Sequence, residues 1–185
     1  MSAVPRAAGG SVGAGGAVLF LPVSAKARLA SVYASGADGK YERAPNGPRG
    51  QGDYVEGPRR NFAGGAGLLS TARDYARFLE AIRRGGTLDG ARILSPLSVK
   101  LMSTNQVGTL HSTTGLGFGL GFETVDRFGA NSMSLQGAFG WGGAYGSVYR
   151  VDPESRLVMV LMIQLIPNAS DIRDVFPTLV YQALR

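Results

Sequence analysis

The sequence predicts an α+β domain in which an antiparallel sheet is flanked by helices, and three observations carry that expectation. The stretch "GGAGLLSTARDYARFLEAIRRGG" (64–86) has an amphipathic period closed by a glycine pair. Two apolar runs, "YGSVYRVDP" and "RLVMVLMIQL", are joined by the turn residues Asp152-Pro153-Glu154-Ser155, which pairs them antiparallel. "SDIRDVFPTLVYQALR" then ends the chain with a helical pattern that Pro177 bends. Helices before and after a block of strands define the class.

The elements follow in chain order. Residues 1–17 read as a flexible, small-residue leader; its basic region is too thin for a good signal peptide. "KARLASVY" (26–33) gives a short helical hint, and residues 34–63 read as loop, rich in glycine, proline and charge without period. In the long helix Thr71 and Asp74 form a capping box, with Ser70 a second cap candidate. Tyr75, Phe78, Leu79 and Ile82 make its apolar face, while Arg83 and Arg84 complement its carboxyl end. Asp89-Gly90 marks a tight turn. Ser95-Pro96 opens a second helix, expected to end near Asn105. From "GFGLGFETV" (117–125) onward the chain reads as three or four strands, the last (156–165) apolar enough to be buried on both faces.

Composition narrows the function. At 185 residues, with 44% hydrophobic and 17% charged side chains, the chain suits one domain with a real core. The net charge of +6 comes from scattered residues such as Arg28, Lys40, Arg43, Arg59 and Arg60, without an aromatic-interleaved stripe. That is a solvated basic surface, and no nucleic-acid partner is expected. The chain has no cysteine, which excludes thiolate catalysis, disulfides and Cys-ligated zinc and assigns no compartment. His111, the sole histidine, lies in the loop-like "TLHSTTG", so a Ser-His-Asp triad or a multi-histidine metal site is not expected. No cofactor or metal is expected, and no apolar run approaches the ~20 residues of a membrane helix.

"QGAFGWGGAYGSVYRVDP" (136–153) sets five glycines around Trp141, the only tryptophan, although strands normally avoid glycine. Taken with "GGAGLLSTARDYARFL", "GGTLDGARILSP" and "GFGLGF" in that order, this segment resembles the C-terminal half of serine hydrolases of the β-lactamase and penicillin-binding-protein superfamily. The similarity is closest to class C β-lactamases and their esterase relatives, and residues 18–185 are assigned to that partial β-lactamase/transpeptidase-like domain. The resemblance implies acyl transfer to and from a Ser-x-x-Lys serine, assisted by a Tyr-x-Asn tyrosine. It also implies a third motif on an edge strand, Lys-Thr-Gly in most members and Trp-Gly-Gly in esterase-type ones. On this pattern Trp141 stands where the lysine would be, followed by Gly142 and Gly143. The backbone N–H of Ala144 is implied as an oxyanion-hole donor, and Trp141, Gly142, Gly143 and Tyr145 as substrate contacts. A flat indole in place of a lysine favours neutral acyl groups, such as esters.

Two motifs of the pattern are missing. The lysines are Lys26, Lys40 and Lys100, preceded at the required spacing by Val23, Ala37 and Leu97, and no Tyr-x-Asn occurs. Ser70-x-x-Arg73 is no substitute, because a guanidinium stays protonated. The leading expectation is the C-terminal part of a serine hydrolase acting on small esters or amides, inactive alone, with an N-terminal fragment or a second copy as partner. The alternative is a non-catalytic acyl-ligand-binding or assembly module on the same fold.

Overall fold

The structure, a computed structural model, describes residues 18–36, 38–47, 50–57 and 67–184. The expected leader, residues 1–17, lies outside them. In chain order the strands are β1 (Tyr33–Ser35), β2 (Tyr41–Arg43), β3 (Thr87–Leu88), β4 (Ala91–Arg92), β5 (Leu116–Phe118), β6 (Glu123–Val125), β7 (Phe139–Gly142), β8 (Gly146–Asp152) and β9 (Leu157–Gln164). The helices are α1 (Ala72–Arg83), α2 (Pro96–Met102) and α3 (Ile172–Gln182). Strands β5 to β9 form one antiparallel meander, and β1–β2 and β3–β4 are separate hairpins. The fold is the α+β arrangement that the sequence predicts.

Helix α1 forms where the capping box places it. The Thr71 hydroxyl accepts from the Asp74 N–H at 3.1 Å and donates to the Asp74 carboxylate at 2.8 Å, which satisfies an N-terminal donor that has no partner within the helix. Leu79 and Ile82 from α1 and Val99 from α2 make one buried cluster with Phe122, Phe139 and Val151 of the sheet side. Asp89 and Gly90 both take positive φ, 49° and 79°, as a two-residue hairpin turn requires.

Register sorts the two faces of the sheet. Phe139 pairs with Thr124 and with Val151, which faces Val158, and this row meets α1. The neighbouring row is Glu123, Gly140, Arg150 and Met159. It shares its face with Asp152, whose carboxylate accepts from the Tyr181 hydroxyl of α3 at 2.9 Å. Helices α1 and α3 therefore cover opposite faces of the sheet.

Four local expectations are corrected. The helical hint at 26–33 is a 3-10 helix over Val23–Arg28, followed by strand β1. Within the expected loop, Tyr33–Ser35 and Tyr41–Arg43 pair as a hairpin whose residues are mostly exposed, so no apolar alternation announced it. Helix α2 ends at Met102, short of Asn105. Strand β9 is half-buried rather than buried on both faces: only Met159 is fully buried, and Met162 is exposed.

The buried tyrosines give one pH prediction. Burial pushes the Tyr181 phenol above the usual tyrosine range, and the Asp152 carboxylate adds to the rise. Burial does the same to Tyr149, helped by Tyr75. A folded-state value raised above the unfolded value of about 10 contributes stability that is present below about pH 10 and lost as pH rises through the folded value. Thermal melts at increasing alkalinity are expected to fall above about pH 10, with the phenolate absorbance of the buried tyrosines appearing together with unfolding. Early ionisation of every tyrosine in the folded state would contradict this.

Candidate active site

The glycine-rich segment 140–146 lies at the open end of the sheet. Strand β6 pairs with β7 only at Thr124–Phe139 and Glu123–Gly140, so Trp141 and Gly142 run past the end of β6. On the other side they stay paired with Tyr149 and Val148 of β8. The turn that follows is closed by Gly143 N–H donating to Ser147 O (2.8 Å) and Gly146 N–H donating to Gly143 O (3.0 Å). Between them Ala144 is exposed, and among the described residues no acceptor takes its N–H.

The glycines have different causes. A Cβ at Gly140 would strike the Tyr149 carbonyl oxygen, and one at Gly142 the Arg173 guanidinium. At Gly146, which has φ 92°, it would strike the Asn168 side-chain amide. At these three positions the missing side chain makes room for the protein itself. Gly143 differs: the nearest atom to a Cβ there is the Ser147 Cβ at 3.8 Å, so its surface is free. Gly143 and Ala144 are the exposed backbone of this segment, and Gly142 borders the same cleft.

Beside this turn lies a cleft of 620 Å³ lined by Gly142, Gly143, Ala144 and Tyr145. Tyr75, Tyr149, Val160 and Met162 contribute aromatic and apolar surface, and Leu21, Leu29 and Gln51 belong to the facing wall. Gln51 is buried and ties that wall together, accepting from Val32 N–H (2.7 Å) and donating to Ala30 O (3.0 Å). The Tyr145 hydroxyl donates to Gly50 O at 3.0 Å, so this expected substrate contact also links the two walls. Ser70 lines the cleft beside the helix cap, and its hydroxyl donates to Thr71 O.

Trp141 is 43% exposed, and it does not line this cleft, although the adjoining Gly142 does. Its indole meets the Phe118 ring edge-on at 4.8 Å and lies 6.2 Å from the His111 ring. A second, polar chamber of 210 Å³ involves Trp141, Gly142, Glu123, Arg150, Arg173 and Asp174. Arg150 is 6% exposed, and its nearest counter-charge is a Glu123 carboxylate oxygen 3.5 Å from Nη1. Its Nε and Nη1 have no hydrogen-bond partner among the described residues. Glu123 also accepts from Asn131 (3.2 Å) and faces His111 Nε2 (3.1 Å).

Sequence reading missed Glu123, Arg150 and the position of His111. A usable signal was present: each of the first two is a charge set inside an apolar strand, "GFETV" and "SVYRVD", and such charges are rarely buried without partners. Among the described residues no group of three or more His, Cys, Asp or Glu could hold a metal, and no helix is long and apolar enough to cross a membrane.

The Beta-lactamase family profile matches residues 13–177, and the chain belongs to that family. Protein Rv1367c of Mycobacterium tuberculosis (strain ATCC 25618 / H37Rv) is 34% identical over 167 residues, covering 82% of this chain and 40% of the relative. Esterase EstB of Burkholderia gladioli is 31% identical over 125 residues, covering 62% and 31%. Among solved structures, EstCE1, described as a hydrolase with promiscuous acyltransferase activity, superposes with a TM-score of 0.67 at 22% identity. That match covers 93% of this chain and 47% of the other and establishes likeness of fold. The chain spans less than half the length of each of these relatives.

Proposed function

We propose that the chain supplies the acyl-binding wall of a β-lactamase-related serine hydrolase acting on small ester or amide carbonyls. In this reading the attacking serine and its base lie in polypeptide outside the present sequence. The Ala144 N–H supports it best: it is exposed, unclaimed among the described residues and set beside the bare surface of Gly143 at a cleft. A tetrahedral oxyanion forming there meets a donor already in place, and loss of one such donor typically costs about 10²–10³ in rate. Trp141 adjoins Gly142 of the cleft lining and offers a neutral, flat contact to a group that extends past the cleft, which suits an uncharged acyl or alkoxy group. Tyr145 holds the rim through Gly50.

Catalysis needs more than this half. An oxyanion donor without nucleophile and base leaves only residual rate enhancement. The partner that completes catalysis in this reading is the polypeptide bearing Ser-x-x-Lys; a second copy of the chain, which lacks that motif, covers only the exposed strand edge. Among the described residues the outer edge beyond β9 carries one bridge, Tyr33–Leu165, and an apolar strand edge of this kind accepts another strand.

The expected result is no turnover of p-nitrophenyl acetate or nitrocefin above buffer by the purified chain. Turnover appears when a polypeptide bearing Ser-x-x-Lys is co-expressed with it, and sedimentation of the chain alone shows association beyond monomer. Hydrolysis by the chain alone, abolished by a serine-directed inhibitor, would overturn the division of labour. The second reading, a non-catalytic acyl-binding module, is supported by a cleft that this chain forms by itself. It predicts saturable ester binding, read by isothermal titration calorimetry, with no turnover under either condition.

A further inference from the structure

We propose that His111 is a positioning residue for Trp141, holding the indole in place at the open end of β7. This rests on the reading of Trp141 as a wall of the ligand site. Because β7 outruns β6 at Trp141, no residue of β6 pairs with that position. Among the described residues, the ring contacts of the indole are Phe118 and His111 alone. His111 in turn is gripped from two sides. Its Nε2 lies 3.1 Å from a Glu123 carboxylate oxygen, and its ring packs against Phe118 at 5.3 Å. Glu123 is itself fixed by Asn131 at 3.2 Å and by the Arg150 guanidinium at 3.5 Å. A chain of contacts therefore runs from buried Arg150 through Glu123 and His111 to the exposed tryptophan.

The link responds to protonation. A neutral imidazole with its proton on Nε2 gives Glu123 one ordinary hydrogen bond. An imidazolium gives it a charge-assisted bond and adds an electrostatic attraction to the two neighbouring π systems. The charged form tightens the trio of rings; the neutral form loosens it. The other charged groups around Glu123 and Trp141 are Arg150 of β8 and Arg173 and Asp174 of α3, all lining the same chamber. Their charges sum to one positive, and with the Glu123 carboxylate to zero. The proton on His111 is then the change that decides the local balance.

Trp141 is the only tryptophan, so its emission reports on this site alone. The experiment follows emission and acrylamide quenching of the whole chain as the pH is varied over the range in which the fold stays intact. Wild-type emission is expected to be lower by roughly half when the His111 ring is charged than when it is neutral, because an imidazolium close to an indole accepts an electron from the excited ring. His111→Gln, whose amide N–H still reaches Glu123, is expected to keep wild-type acrylamide access but lose the pH response. His111→Ala is expected to lose the pH response and to raise acrylamide quenching about twofold by opening one side of the indole. A pH-independent wild-type emission, or a titration that persists in His111→Gln, overturns the proposal. So does acrylamide access in His111→Ala equal to wild type. If His111→Ala does not fold by far-UV circular dichroism, His111→Gln carries the test. None of these readouts needs turnover, so failure of the hydrolase reading shows in the ester assay and failure of this one in the fluorescence.

Discussion

Gly140→Ala is expected to lower the melting temperature by about 10 °C, corresponding to roughly 2–4 kcal/mol. The cause is local and rigid. A Cβ at this position would overlap the Tyr149 carbonyl oxygen of the neighbouring strand. Backbone cannot swing aside as a long side chain does, so β7 and β8 must separate or shift register. The damage spreads because the same strand carries Phe139 in the core and Trp141 in the candidate site. Gly143→Ala is the control, since its nearest neighbour leaves ordinary van der Waals room. It is expected to melt within about 0.5 kcal/mol of wild type. Differential scanning calorimetry of the two variants decides the matter, and equal melting temperatures would show that the strands do not approach as described.

Glu123→Ala is expected to cost about 3–5 kcal/mol, because it leaves the Arg150 guanidinium buried without its counter-charge. Arg150 already has two nitrogen atoms without hydrogen-bond partners among the described residues, so it has no surplus to lose. The reverse change, Arg150→Met, keeps much of the side-chain volume and removes the desolvated charge. Glu123 retains His111 and Asn131, and the loss is expected to stay under about 2 kcal/mol. The double variant Glu123→Leu with Arg150→Met is expected to recover most of the stability lost in Glu123→Ala, since an apolar pair replaces an isolated ion. Urea denaturation of the wild type and the three variants ranks their stabilities and decides these outcomes. A Glu123→Ala protein as stable as wild type would show that the guanidinium is paid for elsewhere.

Legibility of the sequence followed the strength of local signals. Helix α1 was readable because Thr71, Asp74 and the pair Gly85–Gly86 mark both ends, and the structure uses them as marked. The β8–β9 hairpin was readable because Asp152 to Ser155 form a turn between two long apolar runs, and Asp152 pairs with Leu157 across it. The β1–β2 hairpin was not, since three-residue strands with exposed side chains carry no alternation. "GFGLGFETV" hid a chain reversal: Gly119 to Gly121 lie between β5 and β6, and the glycines look the same whether the strand continues or turns. In the candidate site, Trp141, Gly142 and Gly143 were legible as one stretch of sequence, but that Trp141 borders the polar chamber while Gly143 borders the cleft was not legible. The grouping of His111, Glu123, Trp141 and Arg150 was not, because it depends on register across three strands and on a loop distant in sequence.

The hydrogen bonds around Tyr145 have a mechanical consequence. Its hydroxyl is fastened to Gly50, its carbonyl receives Leu165 N–H, and the residues on either side close a tight turn. A loop bolted at several points does not flap, so the glycine lip is the stationary jaw of the cleft. A bulky guest meets a more lightly seated wall across the cleft, the stretch from Leu21 to Leu29, whose 3-10 helix buries no residue and is tied by Leu21 N–H to Tyr54 O and by Lys26 to Glu56.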